Sequence, residues 1–350
     1  MLNARLVPFL FSAGLILFIF ICYLQIDKRN NEQSTQQPFQ LETVVDRWGE
    51  RRVIEKHLLP LRLVIAVISK YDQFDRRKAV RETWGNRNIL ESYFGKNFVR
   101  GPYFFVGKPE GHLLPEAEAT KLKMEQEQFN DVIEVDAIDT FGLLTPKMFQ
   151  VFNWIVHKID NWKMKDNFLN SKGDGYYLLK ADDDAYIDLV RIVKLHYGKL
   201  RVDQMKQSQA RPSLFCHIIR QAGVVRDETS KLFVPYSVYN STHYPTYCSG
   251  IAYMFDSNLL KPLLEMAKSM PSLPNEDTFF TGTVAEQLQF KHEQLPVREY
   301  FNNAGTWDKD LLCKVGNGED SNRLVLHRLS FEEMKIVFDC FQQSDQFISH

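Results

Sequence analysis

The chain has 350 residues, with 43 basic against 44 acidic side chains and a net charge of −1. An apolar share of 44% beside 25% charged residues describes an ordinary globular protein with a real core, and the length suits one large domain or two ordinary ones. Balanced charge, and no basic stripe with interleaved aromatics, argue against nucleic acid or an acidic polymer as partner.

Residues 6–26 carry no charge and are rich in Phe, Leu and Ile, a run long enough to cross a bilayer as a helix. It ends Ile21-Cys22-Tyr23-Leu24-Gln25-Ile26, without the small residues of a cleavage site, so the expectation is an uncleaved anchor behind a short tail at 1–5. Arg5 before the run and Lys28 and Arg29 after it leave the positive-inside rule nearly silent. Two other features favour a lumenal body. Asn240-Ser241-Thr242 is an N-glycosylation acceptor. Outside the run, Cys216, Cys248, Cys313 and Cys340 are even in number and suit two disulfides. None of them forms a CxxC pair, which disfavours zinc.

Residues 27–60 read as a tether, because Asn30 to Pro38 is polar and too poor in apolar residues to fold alone. The globular body is expected over 61–350. Leu63 to Ile68 is a continuous apolar run, read as a central strand. A basic helix is expected over Arg76 to Trp84, a strand at Tyr103 to Val106, a helix at Glu116 to Phe129 and a strand at Val132 to Val135. Thr145-Pro146 predicts a helix start, with Thr as N-cap and Pro in the first turn. Met148, Phe152, Ile155 and Ile159 then share one face.

The strand at Tyr176 follows, and Asp182-Asp183-Asp184 stands at its end. Strands alternating with helices predict an α/β fold with a mostly parallel sheet, and ligands of such sheets sit beyond the strands' carboxyl ends. Further on, Leu214 to Ile219 reads as a strand and Tyr244 to Gly250 as a loop leading into a strand at Ile251 to Phe255. Asn258 to Met270 and Thr278 to Leu288 read as helices, and Leu324 to His327 as a strand. Ser330 and Glu333 have capping-box spacing.

The chain has no GxxxxGK[ST], no GxGxxG after a strand, no HExxH and no GxSxG, so P-loop, dinucleotide, zinc-protease and serine-hydrolase readings fail. Three adjacent carboxylates repel one another and require water or a cation. Mg²⁺ or Mn²⁺ bridging to phosphate is the chemistry such hard oxygens suit; a solvated acidic turn is the competing reading.

The ordered set Arg76-Arg77-Lys78-Ala79-Val80-Arg81-Glu82-Thr83-Trp84, Lys180 with Asp182-Asp183-Asp184, Tyr244-Pro245-x-Tyr247-x-x-Gly250 and Glu276-Asp277 resembles the β-1,3-galactosyltransferase family, which includes N-acetylglucosaminyl- and N-acetylgalactosaminyltransferases. The resemblance runs from about Leu63 to Cys340. It implies a GT-A fold behind a transmembrane signal anchor, a Golgi type II membrane protein with a lumenal catalytic domain, a UDP-sugar donor, a glycan acceptor, Mn²⁺ (or Mg²⁺) and inversion at the anomeric carbon. It leaves a homo- or hetero-oligomer with other glycosyltransferases open.

Carried onto this chain, the resemblance gives Asp184 direct metal ligation and Asp182 the ribose or the metal's water shell. Asp183 orients its neighbours, and His327 completes the metal set. Asp277 becomes the base that takes the acceptor's proton, with Glu276 beside it facing elsewhere. Arg77 and Arg81, four apart on one helical face, offer guanidinium forks for phosphate or uracil; pairing with Asp72, Asp75 or Glu82 is the plain alternative. Lys147 and Lys180 are nucleotide-side candidates. Tyr244, Tyr247 and Gly250 are expected to line the sugar pocket, and Cys313 is expected to pair with Cys340 and Cys216 with Cys248. One departure stands out. The family pattern Asp-x-Tyr-x-Asn-Leu-Thr-x-Lys is here Asp139-Thr140-Phe141-Gly142-Leu143-Leu144-Thr145-Pro146-Lys147, with polar groups lost at 141 and 143. Galactose is the expected donor sugar.

Overall fold

A computed structural model describes residues 41–45, 51–55, 62–94, 99–111, 114–165, 176–193, 212–295, 308–316 and 324–346. The chain divides into two compact units, Met1–Leu58 and Leu59–His350.

In the first unit, β1 (Leu41–Val45) pairs antiparallel with β2 (Arg51–Glu55), Leu41 opposite Glu55 and Val45 opposite Arg51. A two-stranded hairpin thus lies inside the stretch read as a tether. Thr43 stands opposite Val53, and the β-branched runs Thr43-Val44-Val45 and Val53-Ile54 favour strands, a local preference hidden by the polar stretch before them. The expected anchor at 6–26 lies outside the described residues. Among the described residues, no helix is long and apolar enough to cross a membrane.

The second unit is built on a seven-stranded sheet. Its strands in chain order are β3 (Arg62–Ile68), β4 (Val99–Lys108), β5 (Val132–Ile138), β6 (Tyr176–Asp182), β8 (Ser213–Ile219), β9 (Tyr247–Asp256) and β10 (Lys291–Gln294). The short β7 (Ala185–Ile187) and β11 (Val325–His327) form a separate antiparallel pair. The spatial order is β10-β8-β9-β6-β3-β4-β5. Neighbours run parallel except at β9, which is antiparallel to both β6 and β8. The fold is therefore mixed α/β with a mostly parallel sheet.

Residues of β3 alternate between two apolar layers, as a strand covered on both faces must. Leu63, Ile65 and Val67 pack with Val80, Trp84, Leu122, Leu312 and Met334, from helices on one face and, for Trp84, the turn that follows helix Phe74–Glu82. Val64, Ala66 and Ile68 pack with Met148, Phe152, Leu263 and Phe280, from helices on the other. The predicted stripe Met148, Phe152, Ile155 and Ile159 on helix Leu144–Lys165 is buried throughout.

Several boundaries move for physical reasons. Thr145 does not cap: helix Leu144–Lys165 starts a residue earlier, after a 3-10 turn at Phe141–Leu143, and the Thr145 hydroxyl donates to the Leu273 carbonyl at 2.6 Å. β9 begins at Tyr247, inside the expected loop. The segment after Glu276 winds as a π-helix, Asp277–Val284, before one α turn at Ala285–Gln287. The Ser330–Glu333 capping box forms, with Ser330 N to Glu333 Oε2 at 2.7 Å and Glu333 N to Ser330 Oγ at 3.2 Å. Disulfides join Cys216 to Cys248 and Cys313 to Cys340.

Candidate active site

β6 lies between β3 and β9 and carries Asp182 to its carboxyl end, opposite Ile68 of β3. The chain then turns through Asp183 and Asp184 into β7. Pairing of β11 with β7 sets His327 opposite Ala185, and Leu329 N donates to the Asp184 carbonyl at 3.0 Å. This ladder brings a histidine from near the C-terminus to the acidic turn. His327 Nε2 is 3.2 Å from Asp184 Oδ1, and one ligand atom from each of Asp182, Asp184 and His327 falls within 4.8 Å of the others. Two carboxylates and an imidazole, all partly exposed, fit Mn²⁺ or Mg²⁺.

Asp183 is buried, and the guanidinium of Arg76 bridges it to its neighbour, with Nη1 3.1 Å from Asp183 Oδ1 and 3.3 Å from Asp184 Oδ2. Desolvation pushes the Asp183 carboxyl up to about 6 against the pull of Ser69 and Arg76. Desolvation would also raise Asp184, yet His327 and Arg76 hold it below the ordinary carboxylate range.

A cavity of about 340 Å³ opens beside this cluster, and Asp182, His327, Lys180, Tyr244, Tyr247, Gly250, Glu276 and Asp277 all line it. Asp277 begins the π-helix and accepts from Thr278 N at 2.7 Å and Gly250 N at 3.1 Å. Desolvation and then the adjacent Glu276 charge push its carboxyl up to about 7, despite those two donors and Lys180. Departures of this kind from α to π winding are frequent at functional sites.

Lys180 cross-links the two halves. Its Nζ is 2.8 Å from Asp182 Oδ1 and 3.1 Å from Glu276 Oε1, and it also donates to the Gly250 carbonyl. Desolvation alone would lower the Lys180 ammonium, but Asp182 and Glu276 carry it above its ordinary value. Tyr253, which the sequence reading did not single out, donates its hydroxyl to Glu276 Oε2 at 2.9 Å. Gly250 is needed where it stands, because a Cβ there would meet Asp277 Oδ2 at 3.1 Å and Glu276 Oε1 at 3.4 Å. Tyr244 and Tyr247 meet edge to face, with ring centroids 6.2 Å apart. Asn240 is exposed.

The expectation for Arg77 and Arg81 is corrected. Arg77 is 0% exposed, with Nη2 2.7 Å and Nε 3.0 Å from the Glu125 carboxylate. Arg81 spans Glu125 at 2.7 Å and Asp131 at 2.7 and 2.8 Å. Neither lines the cavity, and the alternative partners Asp72, Asp75 and Glu82 are not the ones they use. Lys147 is likewise committed, to Asp139 and to the Ser69 carbonyl at 2.7 Å; desolvation pushes its ammonium below the ordinary value. The basic residue that does reach the acidic turn is Arg76. Neighbouring helix positions diverge by about 100°, so the basic run alone could not say which arginine faces the turn.

Fold and site together define a mixed α/β protein whose central strand ends in a carboxylate–imidazole cluster, with the Asp277 carboxylate lining the same cavity. Residues 75–296 match the model of the Galactosyltransferase family, more than half of the chain, and the protein belongs to that family. His327 lies beyond the matched span.

Its relatives include a lactosylceramide 1,3-N-acetyl-beta-D-glucosaminyltransferase of Mus musculus, 28% identical over 226 residues that cover 65% of this chain and 54% of that protein. Another is beta-1,3-galactosyltransferase 1 of Mus musculus, 25% identical over 217 residues, covering 62% and 58%. The chain thus spans little more than half the length of the relatives it matches. Among solved structures, mouse xyloside xylosyltransferase 1 in its apo form aligns over 76% of this chain and 97% of that one, at 10% identity and a TM-score of 0.30, too low to build on.

Proposed function

We propose that this protein is an inverting β-1,3-glycosyltransferase of GT-A type that moves galactose from UDP-galactose to a sugar hydroxyl on a glycoprotein or glycolipid glycan. The observation that carries the reading is the shared cavity, which Asp182, His327 and Asp277 all line. Asp182, Asp184 and His327 would hold Mn²⁺, with Mg²⁺ as substitute. When bound, the ion supplies Lewis-acid charge for a departing diphosphate.

The chain's own residues do the rest. Asp277, with its carboxyl near neutrality, takes the proton from the incoming hydroxyl at its side-chain oxygen. The backbone donors of Thr278 and Gly250 fix that carboxylate's orientation. Lys180 holds Asp182 and Glu276 in fixed relation. Tyr244 and Tyr247 offer ring faces to a sugar.

The donor is the open choice within this reading, since relatives are named for both galactosyl and N-acetylglucosaminyl transfer; UDP-GlcNAc and UDP-GalNAc are the alternatives. A binding-only lectin or chaperone of the same fold is disfavoured, because it has no use for a half-buried carboxylate raised toward 7. We further place the protein in the Golgi membrane as a single-pass type II protein, with tail 1–5, anchor 6–26, stem 27–60 and lumenal catalytic domain 61–350. The apolar run at 6–26, the exposed Asn240 acceptor and the two disulfides support that placement. The test is transfer to a glycan array with each UDP-sugar and Mn²⁺; no transfer and no hydrolysis from any donor would sink the reading.

A further inference from the structure

Helix Phe74–Glu82 carries three arginines close to the site, and they are used differently. Arg77 and Arg81 are closed off by Glu125 and Asp131. Arg76 is 45% exposed at the rim, with Nη1 touching both Asp183 Oδ1 and Asp184 Oδ2. The two oxygens of Asp184 are therefore shared out, Oδ1 to His327 and Oδ2 to Arg76. A divalent ion ligated by Asp184 competes with the guanidinium for that carboxylate. Arg76 is the exposed partner of these pairs, 45% against 17% for Asp184, and its side chain is long enough to swing away from that carboxylate. The lysines nearest the cluster are already committed, Lys180 to Asp182 and Glu276 and Lys147 to Asp139.

We infer that Arg76 is an exchangeable counter-ion of the acidic turn, released from Asp184 by the divalent ion and re-engaged on the diphosphate oxygens of the nucleotide. A planar guanidinium fork suits those oxygens. Arg76 thus opposes the metal when metal binds alone and supports the nucleotide once metal is present. The two binding events are coupled through one side chain, and linkage makes that coupling reciprocal.

The inference rests on the divalent-ion and UDP reading given above, and the test separates the two. Calorimetric titrations of the wild type, Arg76→Gln and Arg76→Lys with MnCl₂ alone, and with UDP at saturating MnCl₂, read binding without turnover. Arg76→Gln should bind Mn²⁺ alone about 3- to 10-fold tighter and UDP about 5- to 30-fold more weakly, the range of ordinary coupling. Arg76→Lys keeps the charge and loses the fork, so its Mn²⁺ affinity should stay near wild type while UDP weakens. If Arg76→Gln does not fold, the lysine variant decides. An unchanged UDP affinity in both variants, or weaker Mn²⁺ binding in the glutamine variant, overturns the role of Arg76 while leaving the site reading intact. A wild type that binds neither Mn²⁺ nor UDP overturns both.

Discussion

Two charge networks share one helix and are built on opposite plans. Arg77 and Arg81 meet Glu125 and Asp131, two cations against two anions, with Arg77 wholly buried. Around the cavity, Asp182, Asp183, Asp184, Glu276 and Asp277 face Arg76, Lys180 and the His327 imidazole among the ion pairs described. The first network is closed and balanced, as buried ions must be to survive desolvation. The second is open and carries surplus negative charge, which is what a cation-dependent site requires. Position in a family motif does not separate the two; charge balance does.

That contrast can be broken by substitution. Asp184→Ala should abolish Mn²⁺ binding and cut transfer by at least about 1000-fold, corresponding to several kcal/mol of lost transition-state stabilisation; Mn²⁺ calorimetry and an initial-rate assay check it. Asp277→Asn should lower kcat by roughly 100- to 10,000-fold while UDP affinity stays within about twofold, because it removes the base and leaves the cluster untouched. In the closed network, Arg77→Ala leaves Glu125 with Arg81 alone and empties a wholly buried position, and should cost on the order of 3–5 kcal/mol of stability, read as an early urea midpoint. Retained stability with lost UDP binding in that variant would erase the distinction drawn here.

The pH dependence of Asp277 sharpens the contrast further. In its proposed role as base it must be ionised, so kcat/KM should rise with pH along a limb centred near 7. Its folded value lies above the ordinary 3.8, so the folded state holds that proton more tightly than the unfolded chain. The resulting stability is complete below about 4 and is lost as pH rises through about 7. Asp277→Asn should therefore melt higher than wild type at pH 8 and lose that advantage at pH 4. Smallest of all, Gly250→Ala forces a Cβ to 3.1 Å from Asp277 Oδ2 and should lower kcat a few-fold without changing Mn²⁺ affinity.

Much of this architecture is legible in the chain. Buried strands such as β3 and β6 announce themselves as continuous apolar runs, and the acidic turn follows the second directly. Asp182, Asp184 and His327 come together, and Asp277 lines the same cavity as Asp182 and His327. What stays hidden depends on partners far away in sequence. Arg77 and Arg81 find Glu125 and Asp131 44 to 50 residues on, which no local spacing announces. β10 reads Lys-His-Glu-Gln and shows no apolar signal, because it is an edge strand stabilised by its ladder to β8. The π-helical winding of Asp277–Val284 likewise leaves no mark on an apolar pattern that suits an ordinary helix.

The short ladder between β7 and β11 has a genetic corollary. All seven strands of the main sheet are encoded by residue 294 and the family match ends at 296, so a transcript terminating soon afterwards would still look complete by either measure. Its product would nonetheless lack the imidazole beside Asp184 and the Met334 and Val337 contacts that close one apolar layer. Stop codons placed before residue 327 should accordingly behave as null alleles, and fragments for biochemistry need to run past residue 340 to keep the second disulfide.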